Sequence, residues 1–203
     1  MRKLRLVIDP GHGGSNRGTR VADRDECDHV LEVARQLRDA MAGWQIDVRL
    51  TRETDVTMRF ADRAQVAIDH DADLVLVLHV NAYCHADPQT GAEIPDPKAH
   101  GMAAFVLEDD GPAASVASAI LRAAPVGLLS PRLRPWAALP TDWTSHTYAC
   151  LEHYGNRPAV LVELGFRTNP QDLETLTGEA HRLAIVVSLL AGVARMHELI
   201  EAG

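Results

Sequence analysis

The feature that most constrains this chain is the alternation of short apolar runs with longer segments of helical periodicity. The runs are rich in Val, Ile and Leu, and they lie at residues 4–8, 46–50, 74–78, 102–107 and 159–162. Such runs predict strands, several of them buried on both faces. Apolar residues at helical spacing predict helices at 28–41, 59–68 and 113–123. The alternation predicts an α/β fold with a mainly parallel or mixed twisted sheet and helices on both faces.

Residues 179–200 contain no proline, and Leu183, Val187, Leu190 and Ala194 recur on one helical face. This pattern predicts a long helix that packs on the sheet. The apolar stretch at 183–194 is shorter than a bilayer-spanning helix requires, so no membrane span is expected. Two irregular stretches are predicted to be long loops that could wall a groove, namely residues 83–100 and residues 125–158, the second of which carries Trp136 and Trp143.

Length and charge limit the classes of protein to consider. The chain has 203 residues, which suits one domain over 1–203, and its formal net charge of -8 disfavours nonspecific binding to nucleic acid or anionic membrane. Three cysteines without a CxxC pair predict neither a disulfide framework nor a thiolate zinc cluster. The first apolar run is too short for a secretory signal, so synthesis in the cytoplasm without a signal peptide is expected.

Two histidines stand where predicted strands end. Residues 9–14 read DPGHGG, a turn whose glycines bring His12 out at the end of the first strand, and His79 ends the apolar run ADLVLVLHVNA. A phosphate-binding turn is the alternative for the first motif, but it lacks the spacing of both common phosphate loops. Either histidine alone would suit a hydrogen-bonded core position. Together, at equivalent strand ends, they predict a metal site.

A hydrolytic zinc site needs a third ligand beside two histidines. Four carboxylates at the start of the first predicted helix could supply it, and spacing alone does not choose among Asp23, Asp25, Glu26 and Asp28. Each could instead favour the helix N-terminus electrostatically. A further carboxylate, Glu163, ends the apolar run AVLV, and burial there would raise its pKa toward that of a general base. The alternative for Glu163 is a glutamate held by loop amides or an arginine.

Five sequence elements follow one another along the chain: IDPGHGG, the glutamate at the head of the first helix, LTRETD at 50–55, LHVNA at 78–82 and VELGFRTNP at 162–170. Together they resemble the zinc-dependent N-acetylmuramoyl-L-alanine amidases of the amidase-3 type. The resemblance covers nearly the whole chain. It implies Zn²⁺ as the cofactor, His12, Glu26 and His79 as its ligands, and Glu163 as the catalytic residue.

The resemblance also implies a substrate and a mechanism. The expected substrate is peptidoglycan, cleaved between N-acetylmuramic acid and L-alanine by a zinc-activated water, with Glu163 as proton carrier. Asn81 is expected to orient a metal-bound group or a substrate carbonyl, whereas Arg52, Asp55 and Arg63 are expected to form structural ion pairs. The chain departs from the usual pattern in having Cys27 after the helix head and no serine shortly before His79. His85 and His100 are expected to be surface histidines.

Two other functions compete with this one: hydrolysis of a small acyl-amino acid or peptide at the same kind of zinc site, and a catalytically inactive wall-binding module. Retention of both histidines and both glutamates argues against the second. The absence of a recognisable leader or wall-binding module favours a phage or prophage endolysin that reaches the cell wall after release or export. The oligomeric state is not predicted.

Overall fold

The computed structural model describes residues 2–21, 23–108, 111–125, 128 and 149–202. Its regular elements are, in chain order, β1 (Leu4–Pro10), β2 (Arg20–Val21), β3 (Arg24–Asp25), α1 (Glu26–Ala40), β4 (Ile46–Leu50), α2 (Phe60–Asp69), β5 (Leu74–Asn81), β6 (Cys84–Ala86), β7 (Glu93–Pro95), β8 (Ala103–Phe105), α3 (Gly111–Arg122), β9 (Ala159–Phe166), α4 (Pro170–Thr177) and α5 (Glu179–Ala202).

Five strands form the main sheet in the order β4-β1-β5-β9-β8. The pairs β1/β4, β1/β5 and β5/β9 are parallel, and β8 joins the edge antiparallel to β9. All five predicted apolar runs therefore supply strands of one sheet, which confirms the predicted fold class. Because β1, β5 and β9 are parallel neighbours, their carboxyl ends lie at the same edge.

Successive side chains of a strand point to opposite faces of the sheet. Because both faces of this sheet are covered, the side chains alternate between two apolar layers. Leu6 and Ile8 face a large core that also contains residues of α1, α3 and α5, whereas Val7 faces a second core with Ala64 and Ala67 of α2. The same alternation holds in β5 and β9. Both faces of β1, β5 and β9 are therefore buried, as expected for strands whose sequences are uninterrupted apolar runs.

The predicted long helix is confirmed as α5, but the prediction of which of its faces packs on the sheet is wrong. Leu183 is 56% exposed and Val187 is 59% exposed, while Leu190 and Ala194 are half-buried. The helix is apolar around most of its circumference, so its periodicity did not identify the packed face. The buried residues are Ile185, Val186, Ser188, Leu189, Gly192, Val193 and Met196.

The same helix bears on the expectation that the chain has no membrane span, which stays a prediction. By length and composition alone, Glu179–Ala202 is the one helix in the described ranges that could cross a membrane. Five of its buried residues, Ile185, Val186, Leu189, Val193 and Met196, belong to the large core, and Gly192 lies against Ile120 and Val116 of α3. This packing makes α5 a core element of the fold.

The predicted loop at residues 83–100 contains a small antiparallel hairpin formed by β6 and β7. His85 is exposed and His100 is half-buried, and neither belongs to a potential metal-binding group in the described residues. In the other predicted loop, residues 126–127 and 129–148 lie outside the described ranges, and so do Trp136 and Trp143. Cys27, Cys84 and Cys150 are free thiols in the structure.

Candidate metal centre

His12 is held by a tight turn that directly follows β1. Its φ of 59° lies in the left-handed region, which is uncommon for a residue other than glycine, and Gly13 and Gly14 follow with φ of 122° and 60°. Gly11 lies against the ring of His79, and a Cβ there would come within 2.3 Å of that ring. The glycines of the motif therefore allow the turn to form and bring the two imidazoles together.

Glu26 is the first residue of α1 and is only 1% exposed. Its Oε2 accepts hydrogen bonds from the backbone N–H of Thr19 at 2.8 Å and from the Thr19 hydroxyl at 3.0 Å. Its Oε1 accepts from the backbone N–H of Val80 at 2.9 Å. These bonds fix a carboxylate between the turn after β1 and the end of β5.

The structure thus distinguishes among the four candidate carboxylates. Asp25 and Asp28 both form ion pairs with Arg17, each at 2.8 Å, and Asp23 is exposed. Only Glu26 among the four lies with the two histidines.

His12, Glu26 and His79 offer ligand atoms that all lie within 4.8 Å of one another. Glu26 Oε1 is 3.0 Å from His79 Nδ1 and 3.2 Å from His12 Nε2, and the two rings meet edge to face with centroids 4.8 Å apart. Burial alone would raise the pKa of Glu26, but hydrogen bonds from both histidines outweigh it and lower that pKa below its usual range. Burial lowers and the Glu26 carboxylate raises the pKa of His12, with a net increase. Two imidazoles and a carboxylate form the donor set expected of a hydrolytic zinc site.

Glu163 reaches the same edge of the sheet from the neighbouring strand. In the parallel pairing of β5 with β9, Glu163 is the register partner of His79. Its Oε2 is buried and has no hydrogen-bond partner among the described residues. Burial raises the pKa of Glu163 well above its ordinary value, and the negative charge of Glu26 raises it further. The loop-amide or arginine partner considered from sequence is not found for this oxygen.

A cleft of about 320 Å³ opens beside the two histidines. Glu163 does not contribute to its lining, in keeping with its buried oxygen. The lining residues are Asp9, Gly11, His12, Gly13, Asn16, Thr57, Met58, Arg59, Phe60, Arg63, His79 and Cys150.

Arg63, Asp55 and Arg52, which were also predicted from sequence to have structural roles, make contacts with other protein groups. Arg63 pairs with Asp9 in the interior, and Asp55 pairs with Arg17 at 2.5 Å, so the expected ion pairs are present. Arg52 is different: within the described ranges its hydrogen bonds go to backbone carbonyls and it forms no ion pair, so the expectation of an ion pair is not met there.

Asn81 lies two residues beyond His79, after a register shift in the β5/β9 pairing. Its side-chain oxygen accepts a hydrogen bond from the backbone N–H of Ala82 at 2.8 Å.

Thr19 was missed by sequence reasoning, although it makes two bonds to Glu26. The available signal is the preceding Gly18, which has a φ of 68°. A Cβ at Gly18 would come within 2.6 Å of both the Glu26 carboxylate and the His12 ring. A glycine at this position marks a close approach of backbone to the site.

Comparison with known proteins supports this fold and places the chain in a family. Residues 6–195 match the family described as N-acetylmuramoyl-L-alanine amidase. The N-acetylmuramoyl-L-alanine amidase AmiA of Escherichia coli K12 is 25% identical over 93% of this chain and 74% of its own length. An endolysin of Bacillus phage SPP1 is 35% identical, over 40% of this chain and 30% of its own length.

Among solved structures, an N-acetylmuramoyl-L-alanine amidase from Clostridium difficile 630 superposes with a TM-score of 0.75 at 24% identity, covering 98% of each chain. This likeness shows that the fold is shared along the whole length. Because the family match spans nearly the entire sequence, this chain belongs to the N-acetylmuramoyl-L-alanine amidase family of peptidoglycan-hydrolysing enzymes.

Proposed function

We propose that this chain hydrolyses the amide bond between N-acetylmuramic acid and L-alanine, with His12, Glu26 and His79 holding a zinc ion. The observation that carries the proposal is the convergence of these three side chains, from three separate elements, to within 4.8 Å of one another. Family membership supports the reaction class.

The donor set suits zinc better than a hard cation. Magnesium and calcium prefer oxygen ligands, whereas two imidazoles and one carboxylate are typical of catalytic zinc. Thr19 and Val80 orient the Glu26 carboxylate through its remaining hydrogen bonds, which is the usual support for a ligating carboxylate. When bound, zinc supplies Lewis acidity that acidifies water and polarises a carbonyl.

Glu163 is proposed to carry the proton. Its raised pKa means that it holds a proton more tightly than an exposed glutamate, which suits a base working near neutral pH. It takes a proton from the attacking water and delivers it to the departing amine of L-alanine. Asn81, whose side-chain oxygen is already bound to Ala82, is proposed to present its amide N–H groups to a substrate carbonyl.

The proposed place of action is the bacterial cell wall. Relatives named as cell-wall amidases support it, including probable cell wall amidase LytH of Staphylococcus saprophyticus, which matches 93% of this chain. A phage setting stays a prediction, supported by the endolysin match over 40% of the chain.

The test is digestion of purified sacculi together with metal analysis. The zinc-loaded protein should release stem peptides with a free L-alanine amine. His79→Ala should lose both zinc and activity, whereas Glu163→Gln should keep zinc and lose activity by about a hundredfold or more, as expected when a general base is removed. Glu152→Gln, at an exposed position, is the matched control and should behave as wild type.

Three outcomes would contradict the proposal. A zinc-loaded, folded protein that releases no stem peptide removes peptidoglycan as the substrate; if it still cleaves small acyl-amino acids, the competing zinc hydrolase is correct. Binding to sacculi without cleavage identifies a wall-binding module. Full activity of Glu163→Gln removes Glu163 from its role.

A further inference from the structure

Arg52 is a buried cation whose hydrogen bonds go to backbone rather than to a carboxylate. It is only 2% exposed. Its Nε donates to the carbonyl of Pro10 at 3.0 Å and its Nη2 to that of Gly11 at 2.9 Å. Nη2 also donates to the carbonyl of Cys27 at 2.7 Å, and Nη1 to that of Thr54 at 3.2 Å. Four of the five guanidinium N–H donors are thereby used.

Three of the four bonded carbonyls belong to the two segments that carry the proposed ligands His12 and Glu26, and the fourth, that of Thr54, lies two residues after Arg52 itself. Pro10 and Gly11 directly precede His12, and Cys27 directly follows Glu26. The aliphatic part of the Arg52 side chain also lies under the turn, since a Cβ on Gly13 would come within 3.2 Å of its Cδ. One planar group therefore connects the turn after β1 to the first turn of α1.

Burying a charge without an opposite charge is costly, and simple stability would be served better by an apolar side chain of similar volume. A neighbouring cation, Arg63, is itself paired with Asp9 and donates to the carbonyls of Pro10 and His12. Burial and the charge of Arg63 lower the pKa of Arg52, and the negative charges of Asp9 and Asp55 offset this only in part. A costly group that breaks the usual rule for cores is expected where function requires its position.

We infer that Arg52 is a positioning residue for the metal centre: its rigid fork sets the separation of His12 from Glu26. The inference rests on the proposed zinc site. Arginine is needed because its donors diverge in a fixed plane and can reach carbonyls on two segments at once, whereas the compact ammonium of lysine cannot.

The experiment compares Arg52→Lys and Arg52→Gln with wild type and with Arg35→Lys. Arg35 is the matched control, because it is an exposed arginine that donates to a single backbone carbonyl, that of Glu53. Zinc dissociation constants are measured by chelator competition. The electronic spectrum of the cobalt-substituted protein reports ligand geometry, and thermal unfolding of the metal-free protein reports stability.

Arg52→Lys and Arg52→Gln should bind zinc about 10- to 100-fold more weakly than wild type, the range expected when support for a metal ligand is removed. Their cobalt spectra should be altered, and Arg35→Lys should match wild type in both measurements. A lower unfolding temperature with unchanged zinc affinity and unchanged cobalt spectrum would overturn the inference, since it shows a role in stability alone. Failure of both Arg52 variants to fold would overturn it as well. A wild-type protein that binds no zinc contradicts the proposed function itself, and this is seen before any variant is compared.

Discussion

Glu26, which is buried, and Glu163, which is half-buried with a buried Oε2, lie at one edge of the sheet, yet their pKa values shift in opposite directions. Hydrogen bonds from His12 and His79 outweigh burial and lower the pKa of Glu26, whereas burial and the charge of Glu26 raise that of Glu163. Such divergence separates a permanently ionised group from one that can exchange a proton. It supports assigning Glu26 to the metal and Glu163 to proton transfer.

His29 in α1 should make the protein sensitive to acid. It is 2% exposed, and its Nε2 has no hydrogen-bond partner among the described residues. Burial, together with the positive charges of Arg24 and Arg182, lowers its pKa to about 4. The unfolded chain takes up this proton near pH 6.5 and the folded chain does not, so stability is full above pH 6.5 and falls as the pH drops to about 4. The loss amounts to about 3 kcal/mol.

Urea unfolding at pH 7 and pH 4.5 measures this effect. His29→Leu should lose about 2–3 kcal/mol less than wild type between the two pH values, because the titrating group is gone. His181→Leu, at an exposed position of α5, should follow wild type. Equal losses in His29→Leu and wild type would show that His29 is not the acid-sensitive group.

At the scale of elements, α5 shows how an apolar helix conceals its packed face. Leu189 is fully buried, whereas Leu183, six residues earlier, is 56% exposed. Leu189→Ala should therefore lower the free energy of unfolding by about 2–5 kcal/mol through lost burial and a cavity. Leu183→Ala should change it by less than about 0.5 kcal/mol. Denaturant unfolding of the two variants measures both changes. A larger loss of unfolding free energy for Leu183→Ala than for Leu189→Ala would show that the face predicted from sequence is the packed one.

At the scale of the whole molecule, the candidate metal centre lies outside the two apolar cores that stabilise the fold. The candidate ligands lie at the end of β1, the start of α1 and near the end of β5, while both apolar cores fill the space between sheet and helices. Chelation of zinc should therefore leave the far-ultraviolet circular dichroism unchanged.

Zinc should nevertheless raise the unfolding temperature, because it binds the folded state. Free zinc at about 100 times its dissociation constant adds about 2.7 kcal/mol, which corresponds to roughly 5–10 °C for a chain of this length. His79→Ala should show no zinc-dependent shift. Loss of secondary structure on chelation would mean that the metal is required for folding.

Much of the fold could be predicted from sequence, because the relevant signals are local. Five apolar runs predicted the strands, and turn residues bounded them. The hairpin of β6 and β7 was not predicted, because residues 84–86 and 93–95 are mostly exposed and carry no apolar alternation. The packed face of α5 was also missed, since its choice depends on which neighbours the sheet and α3 provide.

The candidate site was likewise predicted in part from sequence and completed by the tertiary structure. By itself the sequence indicated that His12, His79 and Glu163 lie toward the carboxyl ends of strands, and parallel strands bring those ends to one edge of the sheet. In the structure β5 and β9 continue two and three residues beyond His79 and Glu163, to Asn81 and Phe166. Spacing left the carboxylate of the 23–28 segment open and the family resemblance implied Glu26, but only the tertiary structure gives the physical reason why Glu26 lies with the histidines. Neighbouring residues of a helix point in different directions, so one turn directs Glu26 inward and leaves Asp25 and Asp28 to Arg17. The role inferred for Arg52 likewise depends on three segments distant in sequence meeting around one guanidinium group.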